Sequence, residues 1–161
     1  FAPMIIPDIV LAIALLSMFS LLGVKMGLHT IVVSHVVFNL AFVCAVVRAR
    51  LKSFDWSIVE ASADLGASTM TTLYRIVIPV LMPAIIAGAL LAFTLSVDEF
   101  IIAFFTAGAG RSSITLPMQI FAMIRFGVTP EINALATIVM SVSVVALALS
   151  QRLNKGGLPG Q

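Results

Sequence analysis

The chain has 161 residues, 61% of them hydrophobic and only 10% charged, with a formal net charge of +2. Soluble domains carry about a quarter charged residues, and a mean hydropathy of +1.18 leaves too little polar surface to keep a water-exposed fold dispersed. Composition therefore excludes an ordinary soluble domain and defines an integral membrane protein, in which the few basic residues report orientation rather than a nucleic-acid patch.

The chain opens on Phe1 and passes at once into apolar sequence, with no basic leader and no small-residue cleavage motif. It reads as a fragment of a longer protein rather than as one that begins with a signal peptide. A spanning helix needs about 20 apolar residues, and four continuous runs qualify. Continuous rather than alternating apolar sequence argues for helices over strands. The first run covers about 4–23, "MIIPDIVLAIALLSMFSLLG". Pro7 breaks the helix near its start and frees a backbone carbonyl, and Asp8 follows it. An ionisable residue in such a run is costly and is a functional candidate by default.

The second run, about 30–47, is "TIVVSHVVFNLAFVCAVV". His35 and Asn39 lie i, i+4 on it, spaced either to face a pathway or to hydrogen-bond a neighbouring helix. Cys44, the only cysteine, has no metal-ligand or disulfide spacing and is expected to be a small packed hydrophobe.

A polar segment follows at 48–78. "DWSIVEASADLG" reads as a short helix. Ser57 and Glu60 have capping-box spacing, and Gly66 suits the turn that ends a helix. Ile58, Ala61, Ser62 and Leu65 share one face, whereas Ser57, Glu60 and Asp64 share another. A second helix is expected to start near Ser68 and lead through "TTLYRIVIP" into the third run, with Pro79 and Pro83 marking the entry.

The third run, "VLMPAIIAGALLAFTLSVDEFIIAFF", is interrupted by Asp98 and Glu99. If its helix continues to Phe105, both acids lie within the membrane; if it stops at Ser96, they cap a loop. Length favours the first alternative, because 84–96 alone is too short to span. No basic residue lies inside any run, so buried carboxylates there need a cation from elsewhere, such as a cationic substrate, or a water-filled vestibule. Ala84 and Gly88 form a small-xxx-small pair suited to close helix packing.

Beyond it, "AGAGRSS" is glycine-rich but lacks the Gly-Lys-Ser/Thr of a phosphate loop, and reads as a turn. "TLPMQIFAMIRFG" places Leu116, Ile120, Met123 and Ile124 at helical spacing, as in a short surface helix. The fourth run, about 132–150, is "INALATIVMSVSVVALALS", entered through Pro130 and Glu131, which is ordinary helix-start chemistry.

Arg48, Arg50, Lys52, Arg75, Arg152 and Lys155 fall on one side of these runs, and Lys25, Arg111 and Arg125 on the other. The positive-inside rule then places 48–78 and the C-terminal tail in the cytoplasm. An even number of spans would precede the chain if the protein's N-terminus is also cytoplasmic. The expected fold is all-α, with about four spans. Neither HExxH nor GxSxG occurs, and the chain has no sequence suited to binding ATP, metal or another cofactor by itself.

"EASADLGASTMTTLYRIVIP" resembles the cytoplasmic loop of binding-protein-dependent ABC importer permeases, whose pattern is Glu-Ala-Ala, then a glycine, then Ile-x-Leu-Pro. Glu60, Ala61, Gly66, Ile76 and Pro79 match; Ser62 stands in place of the second alanine and Ile78 in place of the leucine. "PDIVLAIALL", "ARLKSFD", "AFTLSVDEF" and "PEINALATI" extend the similarity to the spermidine/putrescine permeases over nearly the whole chain. The resemblance implies a type I importer transmembrane domain over 1–155, with the first two of six spans missing, and a cytoplasmic tail at 156–161. It implies a non-catalytic subunit of the bacterial inner membrane, with a periplasmic binding protein, a second permease subunit and a dimer of ATP-binding subunits as partners. Glu60, Ala61, Asp64, Leu65 and Gly66 would couple to the ATPase, and Asp8, Asp98 and Glu99 would line the path of a polycation. An importer for another small solute would keep the same loop, whereas a membrane enzyme or scaffold would leave that loop unexplained.

Overall fold

The computed structural model describes residues 2–125 and 127–155, which form helices and connecting turns with no strand among them. The 156–161 tail lies outside the described residues. The first apolar run is divided into α1 (Ala2–Ile5) and α2 (Asp8–Leu21), as the proline requires. The Pro7 carbonyl accepts from the Val10 and Leu11 amides and so starts α2 immediately behind the break. With 14 residues, α2 is about 21 Å long, short of a hydrocarbon core of about 30 Å. The four expected spans are thus three helices long and apolar enough to cross a membrane, Leu28–Leu51, Thr69–Asp98 and Pro130–Arg152, plus this shorter one.

The second run forms α3 (Leu28–Leu51). The polar segment folds into α4 (Ser57–Asp64) and α5 (Thr69–Thr72). From α5 a π turn at Leu73–Val77 leads directly into α6 (Ile78–Asp98). The wide turn has a local cause. Pro79 offers no N–H, and its ring would collide with the carbonyl of Arg75 in a regular helix. The Ile78 amide reaches back five residues, to the Leu73 carbonyl. The 30 residues from Thr69 to Asp98 span about 45 Å as a helix, so the helix crosses the bilayer and also projects toward α4. After a break come α7 (Ile101–Thr106), α8 (Leu116–Ile124) and α9 (Pro130–Lys155).

α6 is central, with α3 and α9 packed on it, and α2 packs on α7. α3 runs antiparallel to α6, so that His35 meets Ser96 and Val43 meets Gly88. A Cβ on Gly88 would lie 3.3 Å from Val43 Cγ1, so the small pair serves close backbone approach as expected. Leu11, Leu15 and Phe19 of α2 form the main core with Phe38 of α3 and Ile102 of α7. Thr30 Oγ donates to the Thr106 carbonyl at 2.7 Å, tying the start of α3 to the end of α7. Cys44 is exposed rather than packed, because it continues a stripe with Val36 and Leu40 that no helix of this chain covers.

Candidate functional site

Two features carry functional promise: the surface helix α4 and the carboxylates at the helix breaks. α4 begins differently from the expected capping box. Ser57 lies inside the helix, and its amide donates to Asp55 Oδ1 at 3.0 Å, leaving Glu60 out of the cap. The Asp-x-Ser spacing is an Asx-turn signal that accounts for this start. The Ser57 hydroxyl and then its amide hold the exposed Asp55 carboxyl below the usual carboxylate range.

The other end of α4 matches the sequence closely. Gly66 has φ +79. Its amide donates to the Ala63 carbonyl and that of Ala67 to the Ser62 carbonyl, the paired bonds of a Schellman turn. Only Ser62 of the expected apolar face is buried, and its hydroxyl lies 2.8 Å from that of Thr72 on α5. This bond clamps α4 to the foot of the α6 helix. Ser62→Ala leaves the buried Thr72 hydroxyl unpaired and should destabilise the loop by about 1–2 kcal/mol. Adding Thr72→Val should restore most of that loss, as read by thermal unfolding of single and double variants.

Leu65 is 88% exposed, and Ile58, Glu60, Ala61, Asp64 and Gly66 are also exposed. The residues expected to couple are therefore all accessible, on a helix tied to α5 through Ser62 and Thr72. An apolar side chain at such a position does nothing for this chain's own core.

The third run neither continues to Phe105 nor stops at Ser96. α6 ends at Asp98, Glu99 is extended with ψ 112, and α7 resumes at Ile101. The reason is a side-chain cap: the Ile102 amide donates to Glu99 Oε1 at 2.9 Å and satisfies the new N-terminus. Asp8 occupies the equivalent place as the first residue of α2 and is close enough to act electrostatically on Glu99. α2 packs on α7, with Leu11 and Ile102 in one core, which brings the two helix breaks into the same part of the fold.

Asp98 points to the other side of α6. Its Oδ2 lies 3.5 Å from Ser143 Oγ, near the middle of α9, and it lines a cleft of about 420 Å³ between α6, α8 and α9. Ser143 lies near the middle of α9, a helix long and apolar enough to cross a membrane. Phe100 and Phe121, with ring centroids 4.8 Å apart, wall the same cleft. The three acids thus divide into a pair, Asp8 and Glu99, and a separate carboxylate with only one long hydrogen bond. Discontinuous helices meeting at membrane depth are a recurring arrangement in transport proteins, where they build solute sites.

His35 takes the interhelical role, with Nδ1 2.6 Å from Ser96 Oγ. Glu131 accepts from the Thr129 hydroxyl at 3.1 Å, in keeping with a helix start. The glycine-rich segment forms the expected turn, closed around Gly108, and α8 is the expected short helix. Thr72 and Ser143 escaped sequence reasoning, since hydroxyl partners across helices leave no periodic signal, whereas Asp55 carried the local Asp-x-Ser signal.

A multi-helix membrane domain with broken helices, acids at the breaks and an exposed surface helix tied to a long apolar helix fits a solute-transport architecture. The chain belongs to the family described as binding-protein-dependent transport system inner membrane component, whose model matches residues 1–155. Its fold is accordingly the all-α membrane domain of type I ABC importers. The chain is 44% identical over 160 residues to the spermidine/putrescine transport system permease protein PotC of Escherichia coli K12, covering 99% of the chain. It is 41% identical over 155 residues, 96% of the chain, to the protein of the same name from Haemophilus influenzae. It is also 43% identical over 164 residues, 96% of the chain, to the putrescine transport system permease protein PotI of E. coli K12. The chain spans 60%, 60% and 58% of these relatives' lengths, respectively.

Proposed function

We propose that the protein is a permease subunit of an ABC importer that moves polyamines, spermidine or putrescine, across the bacterial inner membrane. The observation that carries this reading is the 44% identity to a spermidine/putrescine permease together with unneutralised carboxylates at the helix breaks. None of Asp8, Asp98 and Glu99 forms an ion pair among the described residues. A flexible polycation supplies the missing charge, and Phe100 and Phe121 offer an apolar wall to its methylene chain.

In this reading, 1–155 is the C-terminal part of the transmembrane domain. A periplasmic binding protein delivers the solute to the outer face, where 24–29 and 107–131 lie. This chain and a second permease subunit enclose the path. A dimer of ATP-binding subunits docks from the cytoplasm, the side of 48–78 and the C-terminus, and hydrolyses the ATP; the permease itself is not catalytic. Residues 57–72 transmit the ATPase movement, with Glu60, Ala61, Asp64, Leu65 and Gly66 as the contact surface. ATP binding shifts the transporter between inward- and outward-facing states only through free energy differing between them. The Ser62–Thr72 clamp and the continuous helix from Thr69 supply the stiffness that such transmission needs.

Asp98, which lines the cleft and holds only a long hydrogen bond to Ser143, is the first to test. The complete transporter, expressed in cells lacking polyamine uptake, should accumulate labelled spermidine or putrescine. Asp98→Asn should raise the KM of uptake about tenfold or more, the loss expected for a hydrogen bond to a charged group. Glu99→Gln should combine a transport defect with a weakened α7 cap. Unchanged kinetics in both variants would remove these acids from the pathway. Absence of uptake by an assembled complex would redirect the substrate assignment to another small solute.

A further inference from the structure

Three buried side-chain atoms lack a hydrogen-bond partner among the described residues: His35 Nε2, Asn39 Oδ1 and Thr115 Oγ. All three residues line one cleft of about 480 Å³ between α3 and α6, on the α3-facing side of α6. Asn39 is only 7% exposed. Buried polar atoms are almost always paired, and each exception demands an explanation. One orphan is an isolated defect, whereas three on residues that border one cavity concentrate unmet hydrogen bonding at that place.

We propose that this cleft binds the primary ammonium group of an aliphatic amine in transit, a second station separate from the Asp98 cleft; this rests on the amine-transport reading above. The donor and acceptor inventory selects the chemistry. Asn39 Nδ2 donates to the His35 carbonyl at 2.9 Å, so its amide oxygen is left as the acceptor. His35 Nδ1 is 2.6 Å from Ser96 Oγ; when it donates that proton, Nε2 presents a lone pair. Thr115 adds a hydroxyl oxygen. An ammonium has three N–H donors and no acceptor, which matches three unpaired acceptors.

The remaining lining suits the rest of such a solute. Ile31 and Val36 offer apolar surface to methylenes, and Phe93 offers an aromatic face to the cation. No lining residue carries a permanent charge. Neutral acceptors hold a cation loosely enough to release it, as passage between successive sites requires. The set spans α3, α6 and the segment before α8, so occupancy couples elements that must move relative to one another during transport.

The test uses the complete transporter reconstituted in lipid. Asn39→Leu and Thr115→Val are close in shape and remove the unpaired atoms, the first also removing the Asn39 Nδ2 bond to the His35 carbonyl, which the helix already pairs. Each should raise the KM for putrescine about tenfold, leave basal ATP hydrolysis unchanged, and leave the thermal midpoint equal to or above that of the parent. A purely structural role predicts the opposite pairing, a lowered midpoint with unchanged KM, and would overturn the proposal.

Nitrogen-15 NMR of labelled His35 provides a readout independent of transport. Methylammonium should shift the Nε2 resonance, and methanol at the same concentration should not. An equal response to both, or to neither, identifies a site for water or none at all and overturns the ammonium assignment. Uptake of putrescine without the methylammonium shift sinks this site alone. The shift without uptake of any polyamine keeps the site and sinks the transport reading.

Discussion

Glu60→Arg should abolish solute uptake by the assembled transporter while the permease stays in the membrane at its normal level. Glu60 is exposed in the first turn of α4, and its carboxylate makes no hydrogen bond or ion pair among the described residues. Its contribution to the fold is limited to a favourable charge near a helix N-terminus, about 0.3–1 kcal/mol. The helix start depends instead on Asp55, and the helix end on Gly66. Reversing the charge therefore leaves α4 standing and changes only what a partner meets. Central interface residues commonly cost 2 kcal/mol or more when altered, roughly a thirtyfold loss of docking. Leu65→Asp should act in the same way, since its side chain is 88% exposed and serves no core. The checks are labelled-polyamine accumulation, membrane abundance, and copurification of the ATP-binding subunit. Full uptake in both variants would detach α4 from energy coupling.

Gly108→Ala should be the most destabilising single-methyl change in the chain. Gly108 has φ +71, and a Cβ there would lie 2.8 Å from the Met26 carbonyl oxygen and 3.0 Å from its carbon. The left-handed backbone costs about 1–2 kcal/mol for an L side chain. The clash adds about 1–3 kcal/mol, because its partner is backbone and cannot rotate away. A total of about 3 kcal/mol is expected, seen as a fall in the thermal midpoint of the purified complex. Gly23 is the control: it has φ +65 but no atom within 4 Å of its missing Cβ. Gly23→Ala should lose only the backbone part. Equal losses at both positions would mean that contact between 22–27 and 107–115 does not hold the α2–α3 and α7–α8 connections together.

Much of the candidate site was legible in the chain because its signals are local. Gly66 announces a left-handed turn, Pro7 a helix break, and Ser68 a helix start; each acts on backbone within a few residues. Ala84 and Gly88 announce close packing without saying against what. The α4 cap was misplaced because Asp55 and Glu60 compete for the Ser57 amide, and the nearer Asx turn wins. Cys44 was expected to be packed because composition cannot tell a face covered by a neighbour from one left outward.

By itself the sequence determined that this is an all-helical membrane protein with a polar, capped surface helix, since hydrophobic length and capping are properties of contiguous residues. It also placed Asp8 beside a helix break, whereas the break at Glu99 emerged only in the structure. Only the tertiary structure decided that the helix breaks of α2 and α7 come together whereas Asp98 looks toward α9, that Ser62 locks α4 to Thr72, and that three residues with unpaired polar atoms border one cleft. These depend on how antiparallel helices are rotated and registered. Rotation and register are set by side-chain packing summed across whole interfaces, such as Val43 against Gly88, and no short stretch of sequence carries that sum.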